Sequence, residues 1–543
     1  MEFLRLLRSE SDRNTAYLLV VAGFSGLLGT LLIALIIGAA QKVAPGQLDL
    51  LDLAKFAFCL ACYVLGRRYS IVQASALAER IVMKMRLRIL DRIRRSNLLR
   101  FEQVGTARVY SVLNESAATL SSSANYIASG FSSAVMLIFA TFYVAYLSFL
   151  AFVMTFGVIL AGILLFSNTR KNLDAQLKKS SAKETEFFGL MQHLLDGFKE
   201  VKMNQARSDD LYANYLVTTA GELRNLKLEA DRQFAQMSLI GQNFLYVLVA
   251  FIIFALPASG TVDAQKVAQL ATAIIFIMGP LGEVVGSVPL LMRSNTAISI
   301  INKLESTLDS AALEGTGADR LRETPLRSFH EISLRNVSFA YEHRLGEGAF
   351  QLGPLDLSVN SNELLFIVGG NGSGKSTLLK VLTGLYAPET GSILLDSEIV
   401  RREDLPVYRS LFSIIFTDFH LFDRLYGLQN IDQHVVDDLL VAMRLQNVTR
   451  IEHGQFESTD LSTGQKKRLA LIVAFLEQRP ILVFDEVAAD QDPGFRKYFY
   501  EVLLPRLQSE GKTIVAVTHD DHYFHVADRV LKMEDGRFVE STA

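Results

Sequence analysis

The sequence predicts a multidomain chain: an all-α domain of six membrane spans, followed by an α/β domain. Three observations predict this. Charge divides between the halves: residues 1–292 hold 28 Lys+Arg and 21 Asp+Glu, a net of +7, and residues 293–543 hold 26 and 36, a net of −10. The N-terminal half contains long uncharged runs, whereas the C-terminal half alternates short apolar runs with helical ones. Finally, residues 369–376 read GGNGSGKS, with an apolar run (364–368) before them and a helical run (377–382) after. At 543 residues the chain exceeds one ordinary domain, and half of it is apolar against a charged fraction of 20%. That balance suits a membrane protein with a soluble part.

Residues 14–41 carry no charge over 28 positions, enough for one crossing. Arg5, Arg8 and Arg13 precede this run without a short apolar core and cleavage site, so it reads as a retained span rather than a signal peptide. Residues 116–169 form 54 positions without Asp, Glu, Lys, Arg or His, which suits a hairpin of two crossings turning near 146–149. Residues 233–262 are uncharged over 30 positions, and 267–292 are interrupted only by Glu283. The weakest span, 50–78, is broken by Asp52, Lys55, Arg67 and Arg68. The expected spans are therefore 15–40, 50–78, 122–146, 149–169, 234–260 and 267–292, in a membrane domain over 1–303.

Residues 79–115 carry nine Lys+Arg and residues 170–232 carry eleven, while the other connections are short and weakly charged. The positive-inside rule then places both basic segments, both termini and the α/β domain in the cytoplasm. RIVMKMRLRILDRIRR and FFGLMQHLLDGFKEVKMNQ repeat apolar residues at helical spacing, so the spans should continue as cytoplasmic helical extensions. The alternative is a pair of amphipathic helices on anionic lipid. Cys59 and Cys62 lie in an apolar run and read as buried structural thiols. Arg67, Arg68 and Glu283 are costly within a span. They are candidates for a cargo cavity, against a structural ion pair or snorkelling. Phe residues in the spans read as lipid-facing or packed.

Residues 304–330 are polar, with Gly315, Gly317 and Pro325, and read as a linker. From 331 to 543 strand-like and helix-like runs alternate as in an α/β P-loop nucleotide-binding domain. GGNGSGKS has the form G-x-x-x-x-G-K-[ST], placed between strand and helix as a phosphate-binding loop requires. Gly369, Gly370, Asn371, Gly372, Ser373 and Gly374 let the backbone N–H groups face phosphate, and Thr377 follows in the helix. Lys375 reaches the β- and γ-phosphates in such a loop, and Ser376 binds Mg²⁺. The strand at 481–484 ends in Asp485, suited to the same Mg²⁺, and Glu486, suited to deprotonating water. Upstream, LSTGQKKRL (461–469) opens a helix at Ser462 and Gly464 whose N–H groups suit a γ-phosphate.

On these motifs the chain resembles an ATP-binding cassette exporter with a six-span membrane domain fused to one cassette. The likeness covers nearly the whole chain, with phosphate loop, signature LSTGQ, strand ILVFDE and His519 after TIVAVT in the family's order. It implies ATP and Mg²⁺, and a dimer in which each ATP lies between one subunit's phosphate loop and its partner's Ser462, Gly464 and Gln465. It further implies Tyr341 as the adenine-stacking aromatic, Glu486, Lys375 and His519 as catalytic, and AADQD, ending at Asp492, as a dimer-interface loop. With Glu486 present, a homodimer has two competent sites. The histidines 519, 522 and 525 read as a γ-phosphate contact and two ordinary polar residues, not as a zinc site.

A finer likeness is to exporters of cyclic peptides, including pyoverdine-type siderophore precursors, syringomycin-like lipopeptides and microcins. It rests on LLDGFKEVKMNQAR (194–207), IFTDFHLFD (415–423) and MGPLGEVVGSVP (278–289). It implies the inner membrane of a bacterium, peptide or siderophore-like cargo, contact with lipid and no nucleic acid. Two departures stand out. Thr417 falls where the family usually has a Mg²⁺-binding Gln, leaving Thr417 or Asp418 to serve, with ligand hardness favouring Asp418. Thr463 falls where a second Gly is common. Other readings are an exporter or flippase of lipid or hydrophobic drug, and an ATP-gated channel or membrane sensor. Glu486 speaks for turnover and against a pure sensor, and the spans exclude a purely soluble ATPase.

Overall fold

A computed structural model describes residues 13–41, 50–254, 257, 264–309, 328–341, 350–428 and 431–539. The chain forms two compact units, one from residues 1–94 and 101–310, the other from 95–100 and 311–543. Most of the expected linker, residues 310–327, lies outside the described residues, as do Arg5 and Arg8.

Among the described residues the first unit holds six long helices: α1 (Arg13–Gln41), α2 (Leu50–Arg95), α3 (Ala117–Leu147), α4 (Phe149–Asp196), α5 (Val217–Phe254) and α6 (Ala264–Asp309). Three helical stretches are long and apolar enough to cross a membrane among the described residues: Val20–Ala40, a stretch within Arg108–Leu147 and one within Gln265–Leu308. Phe149–Ala161 is a shorter apolar stretch. The hairpin between α3 and α4 turns on Ser148 alone, whose hydroxyl accepts from the Ala151 N–H and caps α4. The first basic segment continues α2 unbroken to Arg95. The second ends its helix at Asp196, and Gly197 separates it from a short helix, Phe198–Met203.

One apolar cluster joins Ile33 and Ile37 of α1, Leu137 and Val144 of α3, Ile252 of α5 and Ile274 and Ile277 of α6. A second joins Met85 and Ile89 of α2, Leu120 of α3 and Ile301, Leu304 and Leu308 of α6. Small residues let these helices approach closely. A Cβ on Gly130 would lie 2.4 Å from Ser287 Oγ, and one on Gly26 would lie 2.5 Å from Ser132 O. Phe58, Phe142, Phe149 and Phe254 are exposed on the helix surfaces. Helix α6 runs on past residue 303. Leu304 and Leu308, one turn apart on one face, are both buried, and their packing carries the helix to Asp309. Cys59 is buried and Cys62 half-buried, and both are free thiols.

The second unit is built on a six-stranded sheet and a smaller four-stranded one. Its strands are β1 (Glu331–Ala340), β2 (Gln351–Asn360), β3 (Leu364–Gly369), β4 (Thr390–Leu395), β5 (Glu398–Ile399), β6 (Phe412–Ile415), β7 (Ile451–Glu452), β8 (Gln455–Phe456), β9 (Ile481–Asp485), β10 (Thr513–Val517), β11 (Arg529–Glu534) and β12 (Arg537–Val539). The large sheet runs β12-β11-β3-β10-β9-β6, parallel except for the β11–β12 pair, and the small sheet runs β2-β1-β4-β5. Strands β9 and β10 are buried along their whole length, as parallel strands covered on both faces must be. Alternate residues enter two cores: Phe366, Leu482, Phe484 and Ala516 one, Leu365, Ile367, Val483 and Val515 the other. The carboxyl ends of β3, β6, β9 and β10 therefore open onto one edge of the sheet, where open α/β folds bind ligands.

Candidate nucleotide site

Strand β3 ends at Gly369, and helix α7 (Lys375–Leu382) starts immediately after the glycine loop. Glycine is required at both ends of that loop. Gly374 has φ +103°, and a Cβ there would lie 2.5 Å from Phe350 Cζ. Gly369 has φ +156°, and its Cβ would lie 2.2 Å from Met533 O. Lys375 is 6% exposed, and its Nζ donates to Gly369 O at 3.0 Å and Gly370 O at 2.9 Å. Burial lowers its pKa, and the charges of Glu486 and Asp485 oppose that shift.

Asp485 closes β9 at 2% exposure. Its Oδ2 accepts from Ser376 Oγ at 2.9 Å, and its backbone carbonyl accepts from Thr417 Oγ1 at 3.3 Å. Burial raises the Asp485 pKa against the lowering effect of the Ser376 and Thr417 hydroxyls. Its other oxygen, Oδ1, is buried with no hydrogen-bond partner, as is Ser373 Oγ in the loop. A buried orphan carboxylate oxygen beside two hydroxyls is a hard, all-oxygen donor set, and it fits Mg²⁺.

Glu486 follows at φ +53°, in the left-handed region that non-glycine residues seldom adopt. His519, just beyond β10, places Nε2 3.0 Å from Glu486 Oε1. The neighbouring Thr518 is buried and hydrogen-bonded to Tyr500 at 2.6 Å, which anchors that loop. Burial pushes the Tyr500 hydroxyl pKa up.

Beside these groups lies a cavity of 540 Å³ lined by Tyr341, Phe350, Asn371, Gly372, Gly374, Lys375, Ser376, Thr377, Thr417 and Glu486. The Tyr341 hydroxyl bonds Thr377 Oγ1 at 3.1 Å, and its ring meets Phe339 edge-on. Thr417 and Asp418 are both exposed, but only Thr417 lines the cavity and bonds Asp485, so geometry favours Thr417 where ligand hardness favoured its neighbour.

The signature residues stand elsewhere on the unit. Beyond helix α8 (Gln433–Ala442), Ser462 caps helix α9 (Thr463–Leu476): its hydroxyl accepts from Gln465 N–H, and Gln465 Oε1 accepts from Ser462 N–H. Gly464 packs against the loop after β9, where a Cβ would lie 2.8 Å from Asp490 O. Asp492 caps helix α10 (Pro493–Tyr498) by accepting from Phe495 N–H at 2.9 Å, and it pairs with Arg468. Phe495 N–H holds the Asp492 pKa below its ordinary value, with burial opposing and Arg468 assisting. None of Ser462, Gly464, Gln465, His519 or Asp492 lines the 540 Å³ cavity.

In the first unit, Glu283 and Arg67 form an ion pair at 2.5 Å. Arg67 also donates to Tyr63 Oη at 2.6 Å, and Ser133 Oγ donates to the second Glu283 oxygen at 2.5 Å. Arg68 is exposed on the same helix.

Sequence reasoning missed two residues. Phe350 follows no motif, and nothing in its surroundings marks it. Lys467 had a signal: with Ala470, Leu471 and Ala474 it forms a helix face that is otherwise apolar and wholly buried.

Fold and site together define a membrane-embedded protein carrying an ATP-binding α/β domain. Residues 352–489 match the ABC transporter family model. The chain is 34% identical over 467 residues to the ATP-binding protein SyrD of Pseudomonas syringae pv. syringae, covering 85% of this chain and 82% of that protein. It is 24% identical over 375 residues to the ATP-dependent lipid A-core flippase of Francisella novicida, covering 64% and 60%. Its fold is similar to that of a bacterial Atm1-family ABC exporter solved with ATP bound, at TM-score 0.77 and 16% identity, over 98% of this chain and 95% of that one. The chain belongs to the ABC transporter family: it is an ABC exporter with fused membrane and cassette parts, and an ATPase coupled to transport.

Proposed function

We propose that this exporter moves a cyclic or otherwise modified peptide, such as a lipopeptide or siderophore precursor, out of a bacterial cytoplasm through the inner membrane. The observation that carries the ATP-driven part is the assembly of Lys375, Ser376, Asp485 and Glu486 at the carboxyl ends of β3 and β9. The peptide part is supported by the identity to SyrD along most of both chains, together with the segments 194–207, 278–289 and 415–423.

In this reading the six long helices each cross the membrane within residues 1–303, residues 331–543 form a cytoplasmic cassette, and two copies act as a homodimer. Mg²⁺ would be held by Ser376 and Asp485, with Thr417 the best placed third ligand, and when bound it neutralises phosphate charge. Lys375 exchanges its two loop carbonyls for phosphate oxygens. Glu486 takes a proton from water, and His519 holds the carboxylate in place. Ser462, Gly464 and Gln465 present the N-terminus of α9 to the partner's nucleotide, because they stand away from their own chain's cavity. ATP binds the closed pair of cassettes more tightly than the open pair, and that difference drives alternating access.

Arg67 and Glu283 act in this reading as a structural pair. A second reading, a lipid flippase, is favoured by the likeness to the lipid A-core flippase. Comparing secreted and intracellular metabolites of cells with and without the gene tests the cargo. A peptide that leaves the medium and accumulates inside the deletion strain supports export of that peptide. A change confined to the lipid fraction supports the flippase.

A further inference from the structure

Lys467 lies in α9 at 2% exposure, an ammonium almost wholly removed from solvent. Such a charge is stable only with acceptors around it. Its Nζ is 2.9 Å from the backbone carbonyl of Glu486 and 2.7 Å from Asp490 Oδ2. The Glu486 carbonyl receives one further donor, the Ala489 N–H at 3.3 Å. Glu486 holds φ +53° although it has a Cβ, a conformation that persists only where its surroundings enforce it. Relaxation to a right-handed or extended backbone would turn its side chain away from His519 Nε2, now 3.0 Å from Oε1.

We propose that Lys467 is a positioning residue for ATP hydrolysis: by holding the Glu486 carbonyl it maintains the left-handed backbone that aims the Glu486 carboxylate. Lys467 touches no substrate in this account and acts through Glu486, so the proposal rests on the reading of Glu486 as general base. Besides the Arg468–Asp492 pair, the same helix is joined to the loop after β9 at two further points. Gln491 Nε2 donates to Gly464 O at 3.0 Å, and Arg468 Nε donates to Gln491 Oε1 at 2.8 Å. A displacement of the start of α9 therefore reaches Glu486 through a side chain, without passing through the phosphate loop.

The test is a kinetic cycle on the purified full-length protein in lipid nanodiscs, with ATP as substrate and thermal unfolding as a control. Lys467→Met should lower kcat about tenfold or more while leaving KM for ATP within about threefold. Lys467→Arg, which keeps a cationic donor, should recover most of the rate. Combined with Glu486→Gln, Lys467→Met should cost nothing further, because the group it positions is already gone. Lys467→Met with an unchanged kcat overturns the proposal. So does a raised KM at unchanged kcat, or a loss that multiplies in the double variant. If Lys467→Met does not fold, Lys467→Gln, a neutral donor of shorter reach, enters the same cycle with the same criteria. Glu486→Gln alone tests the general-base reading: near-normal turnover in that variant refutes the base, whatever Lys467→Met does.

Discussion

His519 Nε2 lies 3.0 Å from Glu486 Oε1, joining the ends of β10 and β9 across the edge of the sheet. The imidazole fixes the direction of a carboxylate whose own backbone is in the left-handed region. Glu486→Gln should keep ATP binding and lose about 10²- to 10⁴-fold in hydrolysis, since an amide takes no proton from water. His519→Ala should lower kcat without abolishing nucleotide binding. Steady-state ATPase rates with a fluorescent nucleotide binding assay check both, and full activity in either variant removes that residue's assigned role.

The loop after β6 gives a second prediction. Thr417 lines the cavity and donates to Asp485 O, whereas its neighbour Asp418 is not among the lining residues. Thr417→Val should shift the Mg²⁺ dependence of hydrolysis to higher concentration, and Asp418→Asn should not. The reverse order would show that ligand hardness outweighs position. Unchanged Mg²⁺ dependence in both would leave the loop a relay to the membrane helices, seen as lost stimulation by cargo.

Gly374 offers a test of the loop's backbone. With φ +103° and Phe350 Cζ only 2.5 Å from a would-be Cβ, Gly374→Ala should destabilise the loop by about 1–3 kcal/mol and abolish ATP binding. At Gly370 a Cβ would meet nothing within 4 Å, so Gly370→Ala should leave the unfolding temperature unchanged. Thermal unfolding without nucleotide compares the two, and equal effects would contradict the strain argument.

The pair Arg67–Glu283 separates structure from cargo binding. As a structural pair with Tyr63 and Ser133, its single variants Arg67→Met and Glu283→Gln should each lower thermal stability. The double variant should be less harmful than their sum. Unchanged stability with altered cargo-stimulated ATPase activity would instead make both residues cargo ligands.

Much of the cassette was legible because its chemistry is local in sequence. A glycine loop between strand and helix, two acids ending an apolar strand and a serine opening a helix are each set by neighbours a few residues away. Other features depend on distant packing. Phe350, just before β2, fills the space over Gly374 from a distant part of the sequence, and the choice between Thr417 and Asp418 turned on which side of a loop faces Asp485. In the first unit the hairpin turn at Ser148 was readable from an uncharged run, because length alone forces a turn there. The end of α6 was not, since polar composition after 303 hid the packing of Leu304 and Leu308 against Ile301. The pairing of Arg67 with Glu283 needed the relative rotation of two helices, which hydropathy does not contain.

The composite site is tested by mixed dimers. Ser462→Ala on one subunit and Lys375→Ala on the other should disable one ATP site and spare its twin. Both changes on one subunit should damage both sites. Indistinguishable nucleotide occupancy in the two arrangements would contradict the cross-subunit assignment.

The most direct test of ATP-driven export is uptake of a fluorescently labelled cyclic lipopeptide into inverted membrane vesicles, with the Glu486→Gln protein alongside. The account predicts accumulation above the external concentration that requires ATP and Mg²⁺ and is lost in Glu486→Gln. Equilibration of the probe to the same level in both proteins, without accumulation, would contradict it and identify an ATP-gated channel.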